Sequence, residues 1–266
     1  MTNEFAGAVV AITGGGRGIG RAIAEAFAQR GAKVMIGART LAYGENAAAA
    51  IRAAGGEAEV LENDISTREG CDALVARTTD AFGGLDILVH SAAEIPDGGV
   101  DASDEAIRRG FESIVMAGFW LTRAARPHLK HSKRGGRMIF ITSVAGTKTV
   151  VPGRVAYGVC KSALESFVRG VALELAEDAI TVNAIAPGLV ASARPLAAMG
   201  RAALDAIAAG TPAGRPGTPE EVAHAALFLA GVEASFITGH SVVMDGGATL
   251  AKHSSAHLLV DHQKRG

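Results

Sequence analysis

Seven short apolar runs recur along this chain, at residues 8–12 (AVVAI), 33–37 (KVMIG), 57–61 (EAEVL), 85–90 (LDILVH), 137–142 (RMIFIT), 180–185 (ITVNAI) and 241–244 (SVVM). Longer Ala-rich stretches with helical spacing separate them. This alternation is the mark of βαβ units, because parallel strands need a crossover long enough to hold a helix. Several runs are apolar throughout rather than at every second position, as strands covered on both faces should be. The expected fold class is α/β, with a doubly wound parallel sheet of seven strands and helices on both faces. No linker rich in Pro, Ser or charge divides the pattern, so residues 1–248 read as one domain and 249–266 as a C-terminal tail. Only 189–216 breaks the rhythm: Pro and Gly bracket a short helical segment at 196–209, which reads as a substrate lid or as an ordinary surface helix. After it, Thr218, Pro219 and Glu221 match the N-cap, N1 and N3 of a capping box, and a helix is expected to run to Ala230.

Composition excludes several classes. Apolar residues make up 48% and charged residues 20% of the 266, enough to build a core, and the 34 glycines follow no repeat. Net charge is −1, and the basic stretch 130–137 (KHSKRGGR) is short and lacks aromatics. It suits the last turn of a helix and its Gly stop better than a nucleic-acid groove. Two cysteines, Cys71 and Cys160, make no disulfide framework. The first seven residues do not resemble a signal peptide, and no apolar run approaches the roughly 20 residues of a membrane span. A cytoplasmic location, without nucleic-acid or membrane partners, is expected.

The first strand runs directly into Thr13-Gly14-Gly15-Gly16-Arg17-Gly18-Ile19-Gly20, and a helical pattern (Ile19, Ile23, Ala26, Phe27) follows at once. Such a turn needs residues without Cβ, both to reach positive φ and to let a pyrophosphate approach backbone N–H groups at the positive end of a helix. Strand before, helix after and a second strand about 15 residues on make this a Rossmann-type nucleotide turn.

The spacing is G-x-x-x-G-x-G, and with it the chain resembles the short-chain dehydrogenase/reductases. That family's TGxxxGxG turn is matched by Thr13 to Gly20 and its Tyr-x-x-x-Lys motif by Tyr157 and Lys161. The likeness extends through Asn183-Ala184-Ile185-Ala186-Pro187-Gly188 and Asp245-Gly246-Gly247. The resemblance implies an oxidoreductase for a carbonyl/alcohol pair, a homotetramer, and a catalytic set of Ser143, Tyr157 and Lys161. It also implies a cofactor cradle of Thr13, Gly14, Gly16, Arg17, Gly18, Ile19, Gly20, Arg39, Asp64, Ile65, Ser91, Ala92, Ala93, Tyr157, Lys161, Pro187, Gly188 and Val190.

Cofactor choice can be read at the end of the second strand, where a carboxylate would grip the adenosine ribose diol and repel a 2′-phosphate. Here the chain has Gly37-Ala38-Arg39-Thr40. Without a carboxylate, and with Arg39 able to pair bidentately with phosphate, NADP(H) is expected over NAD(H), with Arg17 as a contributor.

Tyr157 and Lys161 are four apart in an expected helix over 156–176 and so share a face. A cation beside a phenol favours its ionised form, which suits acid–base work. Ser143 follows the fifth strand at the carboxyl side of the sheet, where open α/β proteins place ligands. Two departures from the family stand out. His90-Ser91-Ala92-Ala93 replaces the usual Asn-Asn-Ala-Gly, and Ile114 stands where an asparagine helps carry a proton relay. Ser113 is adjacent, but one residue along a helix turns a side chain by about 100°.

Cys160, beside Lys161, reads as a buried inert thiol, and Tyr43 as a surface aromatic. His253, His257 and His262 belong to the tail, and no metal site is expected. The substrate pocket is expected to be lined by Val150, Val151, Glu94, Ile95, Leu189, Val190 and Leu196. The reading is ketone reduction with NADPH. The alternatives are an NAD-linked alcohol, polyol or cyclic-diol dehydrogenase, and a nucleotide-binding sensor or scaffold without turnover.

Overall fold

The computed structural model describes residues 3–96 and 98–250. Its seven strands are β1 (Val9–Thr13), β2 (Lys33–Ala38), β3 (Glu57–Glu62), β4 (Ile87–His90), β5 (Arg137–Ile141), β6 (Thr181–Pro187) and β7 (Ser241–Met244). They form one sheet in the order β3-β2-β1-β4-β5-β6-β7, with every pair parallel. The chain winds outward from β1 to β3, then returns and winds the other way from β4. The carboxyl ends of β1 and β4 therefore flank a crevice at the point of reversal.

Side-chain alternation divides the sheet between two cores. Val10, Ile12, Val34, Ile36 and Val89 pack against helices α1 (Gly18–Ala28), α2 (Leu41–Ala53) and α8 (Pro219–Ala230). Ala11, Met35, Leu88, Met138 and Phe140 pack against α3 (Arg68–Phe82), α5 (Ala117–Leu129) and α6 (Val155–Leu175). Both faces are thus dry, which is why the strands read as continuous apolar runs. Each fully buried Leu, Ile or Phe contributes about 1.5–3 kcal/mol.

Strand ends fall within two residues of expectation. β4 starts at Ile87 rather than at residue 85, and Asp86 just before it clasps the neighbouring chain, its carboxylate accepting from Val9 N (2.8 Å) and from the Ser132 hydroxyl. The capping box of α8 is present, with Thr218 Oγ1 accepting from Glu221 N and Glu221 Oε2 accepting from Thr218 N. Between α4 (Asp104–Phe111) and α5 lies a π-helical turn, Glu112–Met116, which the sequence pattern does not reveal. The segment expected as one helix over 196–209 is α7 (Ala193–Ala208), which starts earlier and is broken at Gly200 (φ 76°, ψ 168°). Among the described residues no helix is long and apolar enough to cross a membrane, and no cluster of His, Cys, Asp and Glu could hold a metal.

Candidate cofactor and active site

A cleft of about 520 Å³ opens over the carboxyl ends of the strands. Strand order sets out its wall: Arg39 and Asp64 follow β2 and β3, the glycine turn and Ser91-Ala92-Ala93 follow β1 and β4, Ser143 follows β5, and Pro187 ends β6. Gly14, Gly16, Arg17, Gly18, Ile19, Gly20, Ile65, Tyr157, Lys161, Gly188 and Val190 complete the match between this wall and the residues expected from the sequence.

Two glycines explain why the turn must be bare. A Cβ on Gly20 would lie 2.3 Å from the Gly14 carbonyl oxygen, so only glycine lets the turn close onto α1. Gly18 has φ +57° and faces Ser192 across the cleft, 3.6 Å from where its Cβ would be. The N-cap residue of α1, Arg17, makes no side-chain capping bond to the first-turn N–H groups, and Gly18, Ile19 and Gly20 of that turn line the cleft.

Thr13 departs from the expected list. It is fully buried beneath the turn and is not part of the cleft wall. Its Oγ1 accepts from Ser91 N and Ala92 N, each at 3.1 Å, and lies 2.9 Å from His90 Nδ1. Both lone pairs being taken, the hydroxyl must donate to Nδ1. The imidazole proton then sits on Nε2 and is directed at the Ile114 carbonyl, 3.3 Å away. Burial, with the Lys161 charge second, pushes the imidazole down to about 3, so His90 is neutral. It ties β1 to the π-helical turn, and the apolar Ile114 side chain points into the core. Ser113 instead reaches the cleft wall, where its hydroxyl accepts from Glu94 N at 3.0 Å.

At the β2 end, Arg39 NH1 donates to Glu94 Oε2 at 2.7 Å, and Arg17 lies 5.4 Å from the centre of the Tyr43 ring. Tyr43, expected as a surface aromatic, is half exposed and lines the cleft. Asp64 Oδ1 accepts from Ser66 N and Oγ at 2.9 and 2.7 Å. Burial raises the Asp64 carboxyl, but the Ser66 bonds and the charges of Arg109 and Arg39 hold it below its ordinary value. Asn63 carries a buried Oδ1 with no partner among the described residues.

At the β5 end, Tyr157 and Lys161 stand one turn apart on α6. The phenol hydrogen-bonds Ser143, and Lys161 Nζ donates to the Ile141 carbonyl at 2.7 Å. Burial pushes the Tyr157 phenol up, against the pull of the Ser143 bond and of the charges on Arg194 and Arg154. Burial also pushes the Lys161 ammonium down to about 8. Leu189, Val190 and Ile95 line the cleft, and so does Glu94, but its carboxylate lies with Arg39 at the β2 end rather than in a substrate pocket beside Ser143; Val150 and Val151 are 80% and 43% exposed, and neither they nor Leu196 contribute to the wall. The loop holding the two valines turns outward after Gly146 (φ 99°), and Pro195 takes the wall position next to Leu196. Cys160 is buried, and burial pushes its thiol up to about 11, as an inert cysteine requires.

The chain is similar to known oxidoreductases over nearly its whole length. A family model described as enoyl-(acyl carrier protein) reductase matches residues 14–249. An uncharacterized oxidoreductase of Mycobacterium tuberculosis is 38% identical over 243 residues, covering 91% of this chain and 92% of its own. The 3-oxoacyl-[acyl-carrier-protein] reductase of Vibrio cholerae is 37% identical, covering 91% and 97%. Among solved structures, a 7α-hydroxysteroid dehydrogenase complexed with NADH and 7-oxo glycochenodeoxycholic acid superposes with a TM-score of 0.87 at 30% identity, covering 93% and 96%. The chain belongs to the short-chain dehydrogenase/reductase family, whose members are nicotinamide-dependent oxidoreductases acting on CH–OH groups.

The residues present fit that cofactor. The uncapped N-terminus of α1 over a turn without Cβ atoms suits a pyrophosphate. The orphaned Asn63 Oδ1 suits a donor on the nucleoside.

Proposed function

We propose that this protein interconverts a ketone and a secondary alcohol, in the reducing direction with NADPH. The observation that carries the reading is the Tyr157 phenol bonded to Ser143 with the buried Lys161 one helical turn away. When bound, the nicotinamide supplies or accepts the hydride. The Ser143 hydroxyl holds the substrate oxygen, and Tyr157 delivers the proton to it. Because burial keeps the phenol protonated, Tyr157 is poised as an acid, the role that carbonyl reduction demands. Lys161, fixed by the Ile141 carbonyl, keeps a positive charge beside the phenol as it loses its proton. Gly14, Gly16, Arg17, Gly18, Ile19 and Gly20 hold the pyrophosphate, Asp64, Ile65, Ser91, Ala92 and Ala93 the adenosine arm, and Pro187, Gly188 and Val190 the nicotinamide arm.

NADP(H) is preferred because the residues directly following β2 are Arg39 and Thr40, with no carboxylate among them. The second reading, an NAD-linked alcohol or diol dehydrogenase, is favoured by one observation: Arg39 is already engaged by Glu94. Specificity constants for the two cofactors, in the natural chain and in Arg39→Ala, separate the readings. An advantage for NADPH that disappears in the variant supports the first, and no advantage supports the second. An absorbance assay over ketones, aldehydes and alcohols, with Tyr157→Phe as control, distinguishes both from a sensor that binds without turnover.

Residues 1–248 act as one oxidoreductase domain in this reading, with 189–216 as lid over a small-molecule substrate, in the cytoplasm. Leu189, Val190 and residues 192–195 line the cleft, and the segment's two ends are pinned by Ala191 N to Gly217 O (2.8 Å) and Gly217 N to Leu189 O (2.9 Å), as a hinged excursion needs. A homotetramer is supported by a surface groove between α5 and α6, lined by Phe119, Phe167 and Val171, and light scattering of the purified protein reads it directly. The tail with His253, His257 and His262 lies outside the described residues beyond Leu250.

A further inference from the structure

Arg39 does not stand alone at the β2 end of the cleft. Its guanidinium donates through NH1 to Glu94 Oε2 at 2.7 Å. Glu94 is gripped from its other side by Arg109 of α4, whose Nε and NH2 donate to Oε1 and Oε2, each at 2.9 Å. Arg109 NH2 also lies 3.7 Å from Asp64 Oδ2. Arg39, Glu94 and Asp64 all line the cleft, so this chain of alternating charges runs along its wall.

The planar fork of Arg109 on both carboxylate oxygens is the strong geometry for such a pair and leaves Glu94 little freedom to turn away. Arg109 is also the first cause holding the Glu94 carboxyl below its ordinary range, so the group is ionised at neutral pH. The Arg39 side chain, by contrast, is 61% exposed and tethered only at its tip, on a stem of several rotatable bonds. The mobile partner is the arginine and the fixed one is the carboxylate.

We propose that Glu94 is a determinant of cofactor specificity: locked by Arg109, it competes with a ribose 2′-phosphate for Arg39 and so narrows the margin between NADP(H) and NAD(H). The inference rests on the assignment of Arg39 to the adenosine ribose made above. A 2′-phosphate reaching Arg39 must displace the Glu94 contact and also lie near a second anion. A ribose diol carries no such charge and meets neither cost. Glu94 thus acts through Arg39 as a positioning residue.

Dissociation constants of NADP+ and NAD+, measured by titration calorimetry on the full chain, test this in four proteins: the natural chain, Glu94→Gln, Arg39→Ala and the double variant. The proposal expects Glu94→Gln to move the affinity ratio toward NADP+ by roughly tenfold, the scale of one charge-assisted contact. In the Arg39→Ala background the same substitution should leave the ratio unchanged. A ratio that stays constant in Glu94→Gln, or a gain that persists without Arg39, overturns the proposal. Glu94→Ala serves in the same cycle if the Gln variant does not fold. The ratio in the natural chain separately reads the NADP(H) preference: if it favours NAD+ but Glu94→Gln still shifts it through Arg39, the preference fails and the Glu94 inference stands.

Discussion

The Thr13 hydroxyl donates to His90 Nδ1 across 2.9 Å, and with both Thr13 lone pairs taken by backbone N–H groups this bond fixes the imidazole as its Nε2–H tautomer. A residue of the glycine turn, the end of β4 and the π-helical turn are thereby joined through one neutral ring under the floor of the cleft. Where its family places an asparagine, this chain has placed a group that can gain a proton.

Acid stability should show that difference. His90 titrates at about 3 when folded against its ordinary 6.5, so the unfolded chain binds more protons between these values. Its contribution is complete above pH 6.5 and lost as pH falls. His90→Asn should abolish this component, and the stability of the natural chain relative to the variant should fall by roughly 1.4 kcal/mol per pH unit below 6.5. Urea unfolding at pH 6.5, 5.75 and 5 measures it. Parallel curves would mean that the imidazole is charged or exposed.

Lys161 carries a signature of the same sign, in an alkaline window. Burial brings its ammonium from 10.5 to about 8, so the folded chain binds fewer protons than the unfolded between these values. The natural chain should gain stability relative to Lys161→Met as pH rises through that window, by at most about 1.4 kcal/mol per unit. Denaturant midpoints at pH 8, 9 and 10 check the sign, and no relative gain would contradict the burial of a charged Lys161.

Gly20 offers a steric test of the turn. In Gly20→Ala the new Cβ meets the Gly14 carbonyl at 2.3 Å and must force turn and helix apart. A loss of at least tenfold in affinity for NADP+ and NAD+ alike is expected, with a cost in stability of about 1–3 kcal/mol. Calorimetric titration and thermal melts read the two effects. Unchanged binding would show that the turn does not hold the part common to both cofactors.

The central strands β1, β2, β4, β5 and β6 are legible to within two residues because helices on both faces bury nearly every position, and the capping box of α8 is written in adjacent residues. Tyr157 and Lys161 were legible for the same reason, since a spacing of four on one helix is local geometry. What escaped is long-range. Glu94 meets Arg39 from 55 residues away and Arg109 from 15, a convergence that no spacing rule encodes. The π-helical turn has no residue signature, yet it decides that Ser113 faces the cleft and that Ile114 offers only its carbonyl to His90. Proximity to Ser143 in sequence points Val150 and Val151 at the pocket, but the loop turns them into solvent.

The most direct test of the whole account is the turnover of Tyr157→Phe on the best ketone found with NADPH, measured beside NADPH affinity. Loss of a positioned proton donor predicts a fall in kcat of about 10²–10⁴-fold, with affinity within about twofold of the natural chain. A variant that keeps its turnover would contradict the assignment of proton transfer to Tyr157.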